Sequence, residues 1–166
     1  MNLIVRSSSI SGKGLFTAEA IPAGTSILMM TGDVQPLENM MSECQRRKVS
    51  IDMPLHTGIA SVCFLDPLPN YINHSCDPNA GLRGEAELVA IRDIPADHEI
   101  TYDYSTNIVP AETWVMKPCR CGSSLCRGVI SDISTIPEER IQFYGRSFAL
   151  QDFVRRAAIE SGLLKS

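Results

Sequence analysis

The chain lacks any apolar run long enough to cross a membrane. The run Ile27-Leu28-Met29-Met30 falls far short of the roughly 18 residues a span needs. It also lacks an apolar leader: the N-terminus carries a single Arg6 and a serine run, so no signal peptide is visible. The reading that follows is a cytoplasmic or nuclear protein, not a secreted one. A basic excess is missing as well. Lys and Arg number 15 against 19 Asp and Glu, a net charge of −4, which disfavours a broad electrostatic grip on nucleic acid and tolerates a basic protein partner. Nor is there a long alternation of strands and helices, which argues against a Rossmann-type enzyme. No long repeat is present; Ile21-Pro22-Ala23-Gly24 and Ile94-Pro95-Ala96-Asp97 use the same turn chemistry twice.

What is present is enough for one core. Apolar residues make up 44 % of 166 positions, which suits a single globular domain with small appendages and is too short for two full-sized ones. Residues 3–31 read as short strands split by turns at Gly12-Lys13-Gly14 and Pro22-Ala23-Gly24. From Pro36, apolar residues at Leu37, Met40, Met41 and Cys44 recur at helical spacing, and Arg46-Arg47-Lys48 complements the far end of that helix. Ile59–Leu65, Glu87–Ile91 and Glu99–Tyr102 read as strands. Pro137–Tyr144 reads as a helix stopped by Gly145, and Leu150, Phe153, Val154, Ala157 and Ala158 mark a second amphipathic helix.

Four segments carry chemistry. Cys119-Arg120-Cys121-Gly122-Ser123-Ser124-Leu125-Cys126 puts three thiols within eight residues, and zinc takes four thiolate or imidazole ligands. The cluster supplies three, so a fourth must come from elsewhere; three reduced thiols or an adventitious disulfide is the plainer alternative. Without a secretion signal, metal or buried thiols outrank disulfides for the six cysteines. Asn73-His74-Ser75-Cys76-Asp77-Pro78-Asn79 reads alone as a hydrogen-bonded polar loop. Thr101-Tyr102-Asp103-Tyr104 places two phenols on one face of a strand, which alone suits core-edge residues. Gly12-Lys13-Gly14 indicates close backbone approach and nothing more.

Taken together, in this order, the four segments resemble the SET-domain family of protein-lysine methyltransferases. Gly12-Lys13-Gly14-Leu15-Phe16 matches the family's opening, Asn73–Asn79 its centre, and Glu99-Ile100-Thr101-Tyr102-Asp103-Tyr104 its close. Cys119, Cys121 and Cys126 match its post-SET zinc motif. The resemblance covers residues 1 to about 130. It implies a mainly β fold of small curved sheets with short helices, in which the C-terminal strand passes under a loop as a pseudoknot. A zinc-stapled post-SET loop and C-terminal helices would follow. The implied division is a SET domain at 1–108, a post-SET zinc segment at 109–130 and a helical extension at 131–166.

The resemblance also implies the site. S-adenosylmethionine (SAM) would lie against Lys13, Gly14 and Leu15, with Tyr71, Asn73 and His74 completing its binding residues. Tyr104 would stand at the methyl-transfer point and Tyr102 beside the target lysine amine. The fourth zinc ligand would be Cys76, joining Cys119, Cys121 and Cys126, which leaves Cys44 and Cys63 as ordinary thiols. The implied activity is methylation of a protein lysine, stopping at one or two methyls because position 102 is Tyr. The partner would be a protein with an accessible lysine, such as a histone or another basic protein, with no nucleic acid and no membrane. A catalytically weak module that grips a basic tail is the alternative, and a zinc-stapled interaction domain without cofactor a third reading. The family's further channel Tyr has no counterpart in residues 33–70, where Phe64 and His56 are the candidates to stand in. Phe143, Tyr144, Phe148, Phe153 and Val154 concentrate apolar area in the C-terminal helices, as a packing brace or a homodimer face.

Overall fold

The computed structural model describes residues 1–110 and 117–165. Parts of the expected post-SET segment (111–116) and the last residue of the helical extension lie outside the described residues. The chain folds into small sheets, as the sequence implied. Strands β1 (Leu3–Ser7) and β2 (Lys13–Thr17) form an antiparallel hairpin. β3 (Ser26–Met29) belongs to a three-stranded sheet, and β4 (Gly32–Pro36) to a second. Helix α1 spans Met40–Arg47. β5 (Leu55–Gly58) and β6 (Ser61–Leu65) pair antiparallel, with β4 on the other side of β6. β7 is the short Asn73–His74 strand. β8 (Ala80–Arg83) and β9 (Glu87–Ala90) complete the sheet of β3. β10 (Thr101–Tyr102) runs parallel to β7. β11 (Lys117–Pro118) and β12 (Val129–Ile130) bracket the cysteine knot. Helices α2 (Glu138–Arg146) and α3 (Asp152–Glu160) close the chain.

The main core lies among β2, the β3–β9–β8 sheet and the β7–β10 crossing. Leu15, Leu82, Leu88 and Ile100 are fully buried in it, with Tyr102 and Tyr104 at its edge. Burial of a Leu or Ile side chain stabilises by roughly 1.5–3 kcal/mol. The Leu15 carbonyl accepts from the Ile100 amide at 2.7 Å, so the core residues of the opening and closing motifs are also joined by their backbones. A second core holds Ile133, Ile141, Tyr144, Leu150, Val154 and Ala158 under α2 and α3.

Three local expectations change. The strand expected over Ile59–Leu65 starts at Ser61, because Ile59 sits exposed in the turn between β5 and β6. Gly145 does not stop α2. It is buried inside the helix, where a side chain would collide with Leu164; the helix runs on to Arg146 and is capped by Ser147. On α1, Met40 and Cys44 face the core while Met41 is exposed, which narrows the apolar stripe. Of the five residues proposed as a dimer face, Tyr144 and Val154 are buried within the chain, Phe143 and Phe153 pack partly against the same core, and Phe148 is exposed.

Candidate active site and sulfur centre

The site is built at the parallel crossing of β7 and β10, where Thr101 pairs with Asn73 and Tyr102 with His74. Asn79 stitches the crossing together. Its side chain donates to the Glu99 carbonyl at 2.7 Å and accepts from the Thr101 amide at 2.9 Å. Both ends of the Asn73–Asn79 motif therefore serve the same junction. Just past the crossing, Asp103 accepts from the Ser105 amide and caps a short 3-10 turn, which brings Tyr104 back over β7.

Asn73 ties this crossing to the opening glycine motif. Its amide nitrogen donates to the Lys13 and Ser11 carbonyls at 3.1 and 3.3 Å and to the Glu99 carboxylate at 2.7 Å. The NH2 group is thus committed to the chain, so what Asn73 can offer a ligand is its oxygen. Glu99 also accepts from the Ser8 hydroxyl at 2.8 Å. Gly14 is required here: a methyl group at that position would land on the Glu99 carboxylate.

A cavity of about 790 Å³ opens at this junction. Lys13, Tyr71, Asn73, His74, Tyr102 and Tyr104 all line it. That volume lies within the usual range for a small-molecule or cofactor site, roughly 300–1,000 Å³. Gly14 and Leu15, which the resemblance had placed against the cofactor, are not among the cavity's lining residues; Leu15 is fully buried. The rings of Tyr102 and Tyr104 lie 4.8 Å apart, and the Tyr104 hydroxyl donates to the Ile72 carbonyl at 2.6 Å. Burial pushes both phenols above their ordinary range, so they are neutral hydrogen-bonding groups at any physiological pH. Of the two stand-ins for the missing channel Tyr, His56 lines the cavity. Phe64 does not: it is packed with Met40, Cys44 and Val62 beneath α1.

The sulfur centre abuts this cavity. Donor atoms of His74, Cys76, Cys119 and Cys121 lie within 4.8 Å of one another. Cys126 packs against Cys76 and Cys119, and its thiol faces the Cys119 carbonyl at 3.7 Å. Backbone amides point at the sulfurs: Cys76 N–H at Cys121, Arg127 N–H at Cys76 and Gly128 N–H at Cys126, at 3.4–3.5 Å. Donors of this kind stabilise thiolates and orient metal ligands. Burial raises the Cys76 thiol to about 11. It opposes ionisation of Cys121 too, but hydrogen bonds from the amides of Cys76 and Ser123 and from the Cys119 and Cys126 thiols together outweigh it, and that thiol falls to about 7.

His74 stands between the two halves. Its Nδ1 accepts from the Tyr104 amide at 3.1 Å, which places the proton of the neutral ring on Nε2. Burial keeps the ring neutral, lowering its pKa to about 4. Nε2 lies 3.3 Å from Cys76 Sγ, so the ring donates to that sulfur and is not free to ligate. The resemblance had placed His74 with the cofactor; in the structure it lines the cavity and also links Tyr104 to the sulfurs. A cluster of soft sulfur donors with backbone amides aimed at them fits a structural zinc ion.

The SET-domain family profile matches residues 12–105. The chain belongs to the SET-domain family. It is 30 % identical over 141 residues to the histone-lysine N-methyltransferase, H3 lysine-4 specific, of Cryptococcus neoformans, covering 73 % of this chain and 9 % of that protein. It is 27 % identical to the histone-lysine N-methyltransferase SETMAR of Bos taurus, covering 69 % and 47 %. The chain thus spans less than half the length of these relatives. Among solved structures, KRYPTONITE in complex with mCHH DNA, an H3(1-15) peptide and SAH superposes at a TM-score of 0.57 with 24 % identity. That match covers 78 % of this SET chain and 29 % of the other. The ctPRC2 structure bound to S-adenosylmethionine gives 0.56 with 23 % identity, covering 64 % and 15 %.

Sequence reasoning missed four participants. Glu99 and Asp103 lay inside quoted motifs without a role. Asp52 and Lys117, which line the cavity, stand in segments with no recognisable motif.

Proposed function

We propose that this SET domain transfers methyl groups from SAM to the side-chain amine of a lysine in a basic protein. The observation that carries this reading is the convergence of Lys13, Asn73, His74, Tyr102 and Tyr104 on one cavity. The names of the relatives, histone-lysine N-methyltransferases, support a histone-type tail as the substrate class. The chain's net charge of −4 favours such a tail over nucleic acid.

When bound, SAM supplies an electrophilic methyl group on a positively charged sulfur. The backbone of Lys13 and Gly14 and the Asn73 oxygen would hold its amino-acid end, with Tyr71 and His74 flanking the rest. The acceptor amine must be neutral. Removing its proton at pH 7 costs about 5 kcal/mol for an ordinary lysine, and a fixed positive charge nearby lowers that cost. The chain's residues then align the groups, which is worth several kcal/mol. Tyr104 and Tyr102 suit this task because burial keeps them uncharged and their hydroxyls direct lone pairs. The Tyr104 phenol, anchored on the Ile72 carbonyl, fixes the crossing at the transfer point.

The proposal includes a structural zinc held by Cys76, Cys119, Cys121 and Cys126, with His74 donating to the Cys76 sulfur. Zinc would supply a cross-link that holds the cysteine loop against the cavity. The domain boundaries at 1–108, 109–130 and 131–166 belong to the same proposal, with the C-terminal helices acting as a brace. No helix among the described residues is long and apolar enough to cross a membrane, and a nuclear or cytoplasmic setting accords with a histone-type substrate. Labelled methyl transfer from SAM to a histone mixture tests the reading. SAM binding without transfer would favour the module that merely grips a basic tail.

A further inference from the structure

The cavity that holds Tyr104 carries an ion pair of the chain's own. The Lys117 ammonium, at the start of β11, is bonded to the Asp52 carboxylate. The same ammonium stands 5.4 Å from the centre of the Tyr104 ring. Asp52 and Lys117 come from segments 65 positions apart, one from the loop between α1 and β5, the other from the segment that leads into the cysteine knot. The pair sits at the mouth, with its side chains 34 % and 26 % exposed for Lys117 and Asp52.

Asp52 is the one carboxylate among the described residues that line this cavity; the charged neighbours there are Lys13, Lys117 and Arg120. Burial opposes ionisation of Asp52, but hydrogen bonds from Lys117 and Ser50 outweigh it and hold the carboxyl below its usual range. A carboxylate beside an aromatic face, in a partly dry mouth, is a receptor for an alkylammonium. Lys117 shows by its own placement that a lysine head group fits there. One carboxylate and one ring face cannot serve two ammonium groups at full strength.

We propose that Asp52 is the residue that selects a lysine ammonium at this mouth, and that Lys117 is its resident counter-ion, displaced when substrate enters. The inference deepens the methyl-transfer reading and rests on it. Asp52 is a docking group and not a base: while paired with it, the amine keeps its proton, so the amine must move past Asp52 before reaction.

The test uses two peptides, a basic tail with a single lysine and the same tail with norleucine in its place. Their binding to the zinc-loaded chain is measured by calorimetry with S-adenosylhomocysteine present. Lys117→Met should tighten the lysine peptide about threefold to fivefold, the range of a partly exposed ion pair, and leave the norleucine peptide alone. Asp52→Asn should erase the preference for lysine, and the double variant should match Asp52→Asn. Lys117→Arg should behave as wild type, which controls for folding. In steady-state kinetics the changes should fall on KM more than on kcat. Weaker lysine binding in Lys117→Met, or an intact lysine preference in Asp52→Asn, overturns the proposal. Lysine preference without any methyl transfer would instead sink the proposed activity and leave this assignment standing.

Discussion

The Asp103 carboxylate and the Arg127 guanidinium meet fork to fork, with both hydrogen bonds 2.8 Å long. Asp103 lies between the two site tyrosines, and Arg127 follows the last cysteine of the knot. Arg127 also donates to the Ser105 hydroxyl at 3.1 Å, and the Tyr144 hydroxyl of α2 donates to Asp103 at 3.3 Å. One buried carboxylate therefore joins the tyrosine strand, the sulfur loop and the C-terminal brace. Breaking a buried pair by removing one partner leaves an uncompensated charge and costs about 3 kcal/mol or more. Arg127→Gln should destabilise the fold by about that amount in urea unfolding, and Arg127→Lys by less, since it keeps the charge and loses only the fork. A change below about 0.5 kcal/mol for Arg127→Gln would contradict the hub role.

Zinc content gives an independent check on the sulfur centre. The purified chain should carry close to one zinc ion, held by Cys76, Cys119, Cys121 and Cys126. Cys76→Ser should lower the zinc content and melting temperature, while Cys44→Ser and Cys63→Ser should leave the zinc content as it is. Stripping the metal with a chelator should loosen the 117–130 segment, seen as faster amide hydrogen exchange. A metal-free chain that remains folded and active would rule out the centre.

Product multiplicity should depend on Tyr102. Its ring is tilted at 42° to that of Tyr104, with the centroids 4.8 Å apart, and both residues line the cavity; the proposed role sets its hydroxyl beside the acceptor amine. A hydroxyl there can hold the amine or a water molecule and hinder the rotation needed for further methyl groups. Wild type should give mainly mono- and dimethyl-lysine, and Tyr102→Phe should shift the products upward. Mass spectra of a single-lysine peptide under excess SAM decide it, with dominant trimethylation by wild type as the contrary result.

Alkaline stability should follow the buried phenols. In an unfolded chain tyrosines ionise near pH 10, whereas burial pushes Tyr102, Tyr104 and Tyr144 higher in the folded chain. Above pH ~10 the unfolded chain sheds protons that the folded one keeps. Their contribution is therefore intact below that pH and is lost progressively as pH rises toward the folded values. The ultraviolet absorbance of tyrosinate should rise in step with loss of the fold. Ionisation of these three residues near pH 10 in an intact fold would contradict their burial.

Much of this site was legible through the family resemblance, because the motifs that carry the resemblance are local in sequence. The Asn73–Asn79 and Glu99–Tyr104 motifs form the crossing with their own backbones, and the Cys119–Cys126 knot offers three thiols by its own spacing, while Cys76 joined them only through the resemblance. The short strands and the two C-terminal helices followed from turn residues and apolar periodicity. Gly145 was misread as a stop because its partner, Leu164, is brought to it only by the packing of α3. Phe64 was offered as a channel wall because aromatic identity does not say which face of β6 is covered by α1. Asp52 and Lys117 were invisible for a related reason. Each is an ordinary surface residue by local pattern, and their meeting over Tyr104 exists only once residues 65 positions apart are folded together.

The account stands most directly on Tyr104. With labelled SAM and a lysine-bearing basic peptide, the wild-type chain should transfer label to lysine. Tyr104→Phe, which removes one hydroxyl and its bond to the Ile72 carbonyl, should lose at least about 90 % of that transfer, a barrier increase of about 1.4 kcal/mol or more, while calorimetry shows SAM binding retained. Wild-type turnover in Tyr104→Phe, on a peptide that the native chain demonstrably methylates, would contradict the assignment of the transfer point.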